Sequence, residues 1–216
     1  MNTVLIKTYP VPPFCDKEIL RYAGVKGDAD ERTLALLQEL KDEIKDKLSY
    51  KVCYCVLPVK IQGDVCDFSA FSVSSKTLSN RLSGCEKAVV FAATLGVEID
   101  RMLLKYGKIA PAKALFLQAI GAERIESLCN AFCADLPLAG ARFSPGYGDL
   151  PLRTQKEIFA LLDCERKIGL TLTDGLLMSP TKSVTAFVGL GHTMCEANGE
   201  KCRNCAKTDC SFRSEE

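Results

Sequence analysis

Apolar positions recur at helical spacing in three long stretches of the chain. From Asp30 to Leu48, residues Leu34, Leu37, Leu40, Ile44 and Leu48 return every three or four positions among charges. That is the signature of one amphipathic helix, with Asp28 or Asp30 as its N-cap. The strongest pattern runs from Pro111 to Leu136, where Leu115, Ala119, Ala122, Ile125, Cys129 and Phe132 or Cys133 share a stripe. Pro111 suits a first turn and Pro137 ends the segment, while Ala119, Gly121 and Ala122 allow another element to approach closely. A third helix is predicted from Thr154, where Thr154 and Glu157 have the spacing of a capping box. Ile158, Leu161, Leu162 and Ile168 form its buried face, and Gly169 stops it.

Between these stretches the pattern shortens. Lys17 to Tyr22 and Ser74 to Leu82 read as short helices, the second stopped at Gly84. Val52 to Leu57 is β-prone and closed by Pro58, and Val59 to Phe71 supplies a second strand around Gly63. Lys87 to Gly96 reads as a buried strand feeding a helix from Val97 to Tyr106. Leu170 to Thr173 is extended, Asp174 to Met178 a short turn of helix, and Ser183 to Leu190 a β-branched strand. Strands and helices mix without regular alternation, which predicts an α+β fold with helices laid on a largely antiparallel sheet.

Composition narrows the functional classes. The chain has 216 residues, 47% hydrophobic and 25% charged, as a globular protein with a real core would. Its 28 basic and 27 acidic residues leave a net charge of +1, so no field steers it toward nucleic acid or an anionic membrane. The apolar run Ala88 to Leu95 is too short to span a bilayer, and the N-terminal residues lack a signal-peptide layout. The expectation is a cytoplasmic protein with no nucleic-acid or membrane partner.

Two stretches carry chemistry. Ala141 to Gly148 reads A-R-F-S-P-G-Y-G and puts a cation, a φ-locked proline, two glycines and an aromatic ring in one loop. Such a loop can present a guanidinium, backbone groups and a ring face to one small ligand. It can equally be a rigid turn in which Arg142 caps a carbonyl and Tyr147 packs. The second stretch is the C-terminus. Of 12 cysteines, Cys15, Cys53, Cys55, Cys66, Cys85, Cys129, Cys133 and Cys164 lie in apolar or amphipathic segments and read as core residues. Cys195, Cys202, Cys205 and Cys210 crowd a polar segment that cannot order itself by burial. Four thiolates there can close around zinc or an iron–sulfur cluster, with redox thiols or a disordered tail as alternatives. His192, the single histidine, is a substitute ligand or a bystander. The chain is therefore divided into an α+β domain over 1–191 and a metal-binding tail over 192–216.

Arg142-x-x-Pro145-Gly146-Tyr147, Pro151, Thr154, Lys156, Gly169-x-x-Leu172-Thr173, Met178, Pro180 and Ser183-Val184 together resemble the activation domain of vitamin B12-dependent methionine synthase. The chain is similar to stand-alone bacterial proteins that carry this domain, some of which end in a cysteine cluster. The resemblance implies a curved, mainly antiparallel sheet with helices packed on it. It implies S-adenosylmethionine as ligand, held by Arg142, Ser144, Gly146 and Tyr147, and reductive remethylation of cob(II)alamin carried by a partner. That partner is a corrinoid-binding methionine synthase or another corrinoid protein, with an electron donor such as flavodoxin or ferredoxin. Because cobalt is the nucleophile, no catalytic acid or base is implied, and the chain is an accessory of a methyltransferase rather than an enzyme by itself. An iron–sulfur centre in the tail would suit a low-potential reduction. The family's acidic ligand from the N-terminal part has no clear counterpart among Asp16, Asp28 and Asp30. Beyond Gly191 the cysteine segment replaces the family's usual continuation. The competing readings are a stand-alone S-adenosylmethionine-dependent methyltransferase and a ligand-free structural or regulatory domain that keeps the metal tail.

Overall fold

The computed structural model describes residues 3–191. The cysteines at 195, 202, 205 and 210, His192 and the division at 191/192 lie at or beyond its limit, outside the described residues. Its centre is a four-stranded antiparallel sheet of β1 (Leu5–Thr8), β2 (Lys51–Pro58), β6 (Lys87–Thr94) and β9 (Ser183–Leu190), in the order β1-β2-β6-β9. In a second sheet the central strand β4 (Val65–Asp67) pairs with β3 (Lys60–Gln62) on one side and β5 (Ser72–Ser74) on the other. A two-stranded ribbon joins β7 (Thr171–Leu172) to β8 (Met178–Ser179). Every pairing is antiparallel, as the irregular order of helices and strands predicts.

Side-chain alternation divides the main sheet between two cores. Cys53, Cys55 and Leu57 of β2, Ala88, Val90 and Ala92 of β6, and Phe187 of β9 face α3 (Lys76–Leu82), α6 (Thr154–Leu162) and α7 (Cys164–Ile168). Val52, Val89, Phe91, Ala93, Ala186 and Val188 face the C-terminal half of α5 (Pro111–Ala134). The N-terminal half of α5 instead packs against α1 (Asp16–Tyr22), α2 (Glu31–Ile44) and α4 (Glu98–Ile109). With both faces covered, β6 needs the near-continuous apolar run that its sequence has.

Some expectations are corrected. Leu115, placed on the buried stripe of α5, is exposed, and burial there moves to Phe116, Leu117 and Ile120, because helices rather than the sheet receive that half. The capping box at Thr154 does not form. Pro151, Leu152 and Arg153 lead in through bonds from Thr154, Gln155 and Lys156 to carbonyls three residues back, leaving Thr154 buried inside the helix without a capping bond. The helix predicted from Thr154 to Gly169 breaks at Asp163, whose φ of +50° separates α6 from α7. The segment 59–71 holds a hairpin rather than one strand, turning at Gly63 and Asp64. Asp174 to Leu177 is a turn between β7 and β8, with Leu176 N–H bonded to the Thr173 carbonyl. Of the eight scattered cysteines, Cys15 is exposed and the other seven are buried.

Candidate functional site

After α5 the chain runs antiparallel beside β9 through single bridges from Ala139 to Leu190 and from Phe143 to Phe187. In this extended stretch neighbouring side chains point to opposite faces. Phe143 joins the core under α3 and α6, and Arg142 turns the other way, toward α5. There its guanidinium donates to Asn130 Oδ1 at 2.6 Å and pairs with a carboxylate oxygen of Glu126. Arg142 is only 7% exposed, whereas the Glu126 side chain is 44% exposed. Burial draws the pKa of Arg142 down, but Glu126, with Cys129 and Cys133 behind it, raises it by more, so the net shift is upward. The guanidinium stays charged.

Neither Glu126 nor Asn130 was singled out in the sequence. They lie four residues apart on α5 and so share one helix face, which was the available signal. From the side, α1 closes the cluster: burial raises the pKa of Tyr22, and the charge on Glu126 adds to the rise. Arg21 stacks on the Tyr22 ring at 4.4 Å and pairs with Glu18 at 2.6 Å. One loop and two helices thus bring two guanidinium groups and two carboxylates together.

The rest of the loop is a compact turn. Gly146 N–H reaches the Leu150 carbonyl, Tyr147 N–H the Ser144 carbonyl, and Leu150 N–H the Tyr147 carbonyl. At Gly146 φ is +90°, in the left-handed region that a side chain resists. Pro145 is buried and Ser144 partly so, while Tyr147 stands out at 68% exposure. Tyr147 therefore does not pack into the core, and its ring face is open to a ligand or a partner.

Asp149 moors the loop. Its carboxylate accepts from Ser75 Oγ at 2.6 Å and from the Lys76 and Thr77 N–H groups at 2.7 and 3.1 Å, at the start of α3. These bonds, led by Ser75 and Thr77, hold its pKa well below the usual carboxylate range. A depressed carboxylate contributes stability that is present above its ordinary value of 3.8 and is lost as pH falls through the lower folded value. Asp149→Asn is accordingly expected to flatten the acid limb of stability. Urea midpoints taken from about pH 6 to about pH 2 should fall less steeply in the variant than in the wild type. Parallel acid limbs would remove Asp149 from this role.

Among the described residues, no group of three or more His, Cys, Asp or Glu is placed to hold a metal ion. No helix among them is long and apolar enough to cross a membrane.

Residues 118–197 match the family described as vitamin B12 dependent methionine synthase, activation domain. The resemblance read from Arg142 to Val184 falls inside that segment. Among solved structures, the crystal structure of the MetH reactivation domain bound to AdoHcy matches with a TM-score of 0.62 and 15% identity, covering 87% of this chain and 78% of that one. The chain shares the α+β fold of that domain. No curated protein sequence matches the chain.

Proposed function

We propose, from the activation-domain match over residues 118–197, that this protein binds S-adenosylmethionine at the Arg142–Tyr147 loop and presents it to a separate corrinoid protein. There cob(II)alamin, the substrate carried by a methionine synthase or related methyltransferase, is reduced and remethylated. The chain works in the cytoplasm as an activating component, and flavodoxin or ferredoxin is the class of electron donor such a reduction needs. The observation that supports this most is the Arg142–Glu126 pair in a loop that also carries the open ring of Tyr147.

An α-amino acid moiety carries a carboxylate and an ammonium, and a guanidinium–carboxylate pair can take one each by opening slightly. Arg142 receives the carboxylate through charge-assisted bonds, and Glu126 receives the ammonium. The sulfonium has the exposed Tyr147 ring face to lie on. The compact turn at Gly146 offers the Ser144 hydroxyl and backbone groups to the rest of the ligand. S-adenosylmethionine supplies the methyl group; the protein's residues hold and orient it, with the nucleophile coming from the partner.

Equilibrium dialysis with S-adenosylmethionine tests the reading, and saturable binding that S-adenosylhomocysteine competes away is the expected result. Absence of binding would refute this reading and leave the second one, a structural domain in which Arg142 is satisfied by Glu126 and Asn130. The tail is proposed to hold one metal centre through Cys195, Cys202, Cys205 and Cys210. Anaerobic, metal-replete protein should then contain about one zinc or about four irons, the usual loads of four-cysteine sites. Replacing Cys202 and Cys205 with Ser should remove the metal and leave ligand affinity within about twofold, since the loop belongs to the folded domain. Metal-free wild-type protein would refute the centre.

A further inference from the structure

The two edges of the main sheet differ. Beyond β9 the run 139–143 pairs through the Gly140 N–H to the Gly189 carbonyl and through both backbone groups of Phe143 to Phe187. Beyond β1 no further strand is added among the described residues. All four residues of β1 are exposed, Leu5 at 46% and Ile6 at 50%. Apolar side chains on an open edge are what folded proteins ordinarily avoid. Lys7, the single charge on the strand, is held by Asp135 at 2.5 Å.

The pairing with β2 decides which backbone groups this edge offers. Tyr9 N–H bonds to the Tyr50 carbonyl at 2.9 Å, continuing the register that sets Leu5 opposite Tyr54 and Thr8 opposite Lys51. Bonded and non-bonded residues alternate in an antiparallel pair, so Leu5, Lys7 and Tyr9 turn their N–H and C=O groups inward to β2. Val4, Ile6 and Thr8 turn theirs outward, a set symmetric about Ile6.

We propose that β1 pairs antiparallel with β1 of a second copy of this chain, about a two-fold axis at Ile6, and joins the two main sheets into one. Ile6 then faces Ile6, Leu5 faces the stem of Lys7, and Val4 faces Thr8. The three outward residues of each copy exchange all their backbone bonds, about six in total. A symmetric edge of this kind is complementary to itself, which is why a second copy fits it. Centring the axis on Lys7 would set two ammonium groups opposite each other. Centring it on Leu5 would leave Thr8 without a partner in the strand. Because both copies use the same edge, the assembly closes at two. The contact is small beside the roughly 1,200 Å² of a stable complex, so the dimer is reversible, with a Kd of roughly 1–100 μM. The Arg142 run lies past β9, at the far side of each sheet. With strands about 4.8 Å apart, the two Arg142 residues come to lie roughly 40 Å from each other, and both loops stay open.

The test is independent of S-adenosylmethionine binding. Sedimentation velocity of the full chain, kept reduced and taken over concentrations that span this Kd, should show a monomer–dimer equilibrium. Amide hydrogen exchange followed by NMR should slow at Ile6 and Thr8 as concentration rises, and change far less at Lys7 and Tyr9, which already bond to β2. Ile6→Pro removes only an outward N–H, so β1 keeps its ladder with β2. It should raise the Kd at least about tenfold, through the two central bonds it deletes, and leave the urea midpoint of the monomer close to that of the wild type. Ile6→Lys, which sets like charges opposite each other across the axis, should also weaken the dimer and regain affinity in high salt. Should Ile6→Pro fail to fold, Ile6→Lys and the wild-type exchange pattern decide the matter. A chain that stays monomeric throughout would overturn the proposal. So would a dimer that survives these substitutions, or one in which Ile6 and Thr8 exchange as fast as in the monomer.

Discussion

Arg124→Ala is expected to lower the stability of the fold by about 3–5 kcal/mol, the cost of stranding one member of a buried ion pair. The Arg124 side chain is 0% exposed and that of Glu123, its partner, 3%. Arg124 Nε and a terminal nitrogen each reach Glu123 at 2.5 Å, and the two terminal nitrogens hold the carbonyls of Pro12 and Pro13 at 2.5 and 2.6 Å. The guanidinium also stacks on the Phe14 ring at 4.1 Å. One side chain thus satisfies two backbone acceptors and one carboxylate, and with Pro12 to Phe14 it fastens the strap leading into α1. Truncation leaves Glu123 with Ser127 Oγ and, at 3.4 Å, the Cys15 N–H as its partners. Urea unfolding measures the loss, and hydrogen exchange over residues 12–22 should quicken beyond the rest of the chain. Arg124→Met with Glu123→Leu should recover part of the loss, since the buried charge goes with its partner. A loss under about 1 kcal/mol in Arg124→Ala would mean that the strap is held by packing alone.

This pair was not foreseen because Glu123 and Arg124 are adjacent on α5, and adjacent charges on a helix ordinarily face solvent or different neighbours. Only the Pro-Pro strap, more than 100 residues away, makes them interior. The elements that sequence rendered well are those fixed locally. Ser183–Leu190 appears as drawn, Asp30 caps α2 through the Thr33 N–H, and Gly169 closes α7 with φ of +70°. Those rendered poorly depended on what came to lie opposite. Leu115 had the right spacing for burial but met no covering element. Thr154 had the right spacing for a cap, yet the incoming turn had already satisfied the helix start.

The candidate site divides along the same line. The loop 141–148 was legible from its own residues, since proline, glycine and tyrosine act locally. Its counterion was not, because Glu126 lies 16 residues earlier in the chain and reaches Arg142 only through the extended run beside β9. The bridge at Phe143 is what turns Arg142 toward α5. A register slip of one residue would send the guanidinium into the core under α3 and the phenyl ring toward Glu126. The position of this cation is thus set by strand alternation as much as by the motif in which it stands.

Arg142→Ala is expected to weaken S-adenosylmethionine binding by about 30-fold or more, the loss of roughly 2 kcal/mol carried by a charge-assisted carboxylate contact. Arg142→Lys should recover little, because an ammonium cannot serve Asn130, Glu126 and a ligand carboxylate in the planar arrangement the guanidinium allows. Glu126→Gln should also weaken binding, through the lost ammonium contact, and its Glu126 side chain is exposed enough that the fold should tolerate the change. Tyr147→Phe should matter least, since the ring face survives and only a solvent-facing hydroxyl goes. Isothermal titration with two ligands separates a binding role from a folding role. S-adenosylmethionine carries the amino acid end and 5′-methylthioadenosine lacks it, so Arg142→Ala should depress the first affinity and spare the second. Equal loss for both ligands would assign Arg142 to holding the loop rather than the ligand, and equal retention would remove it from the site.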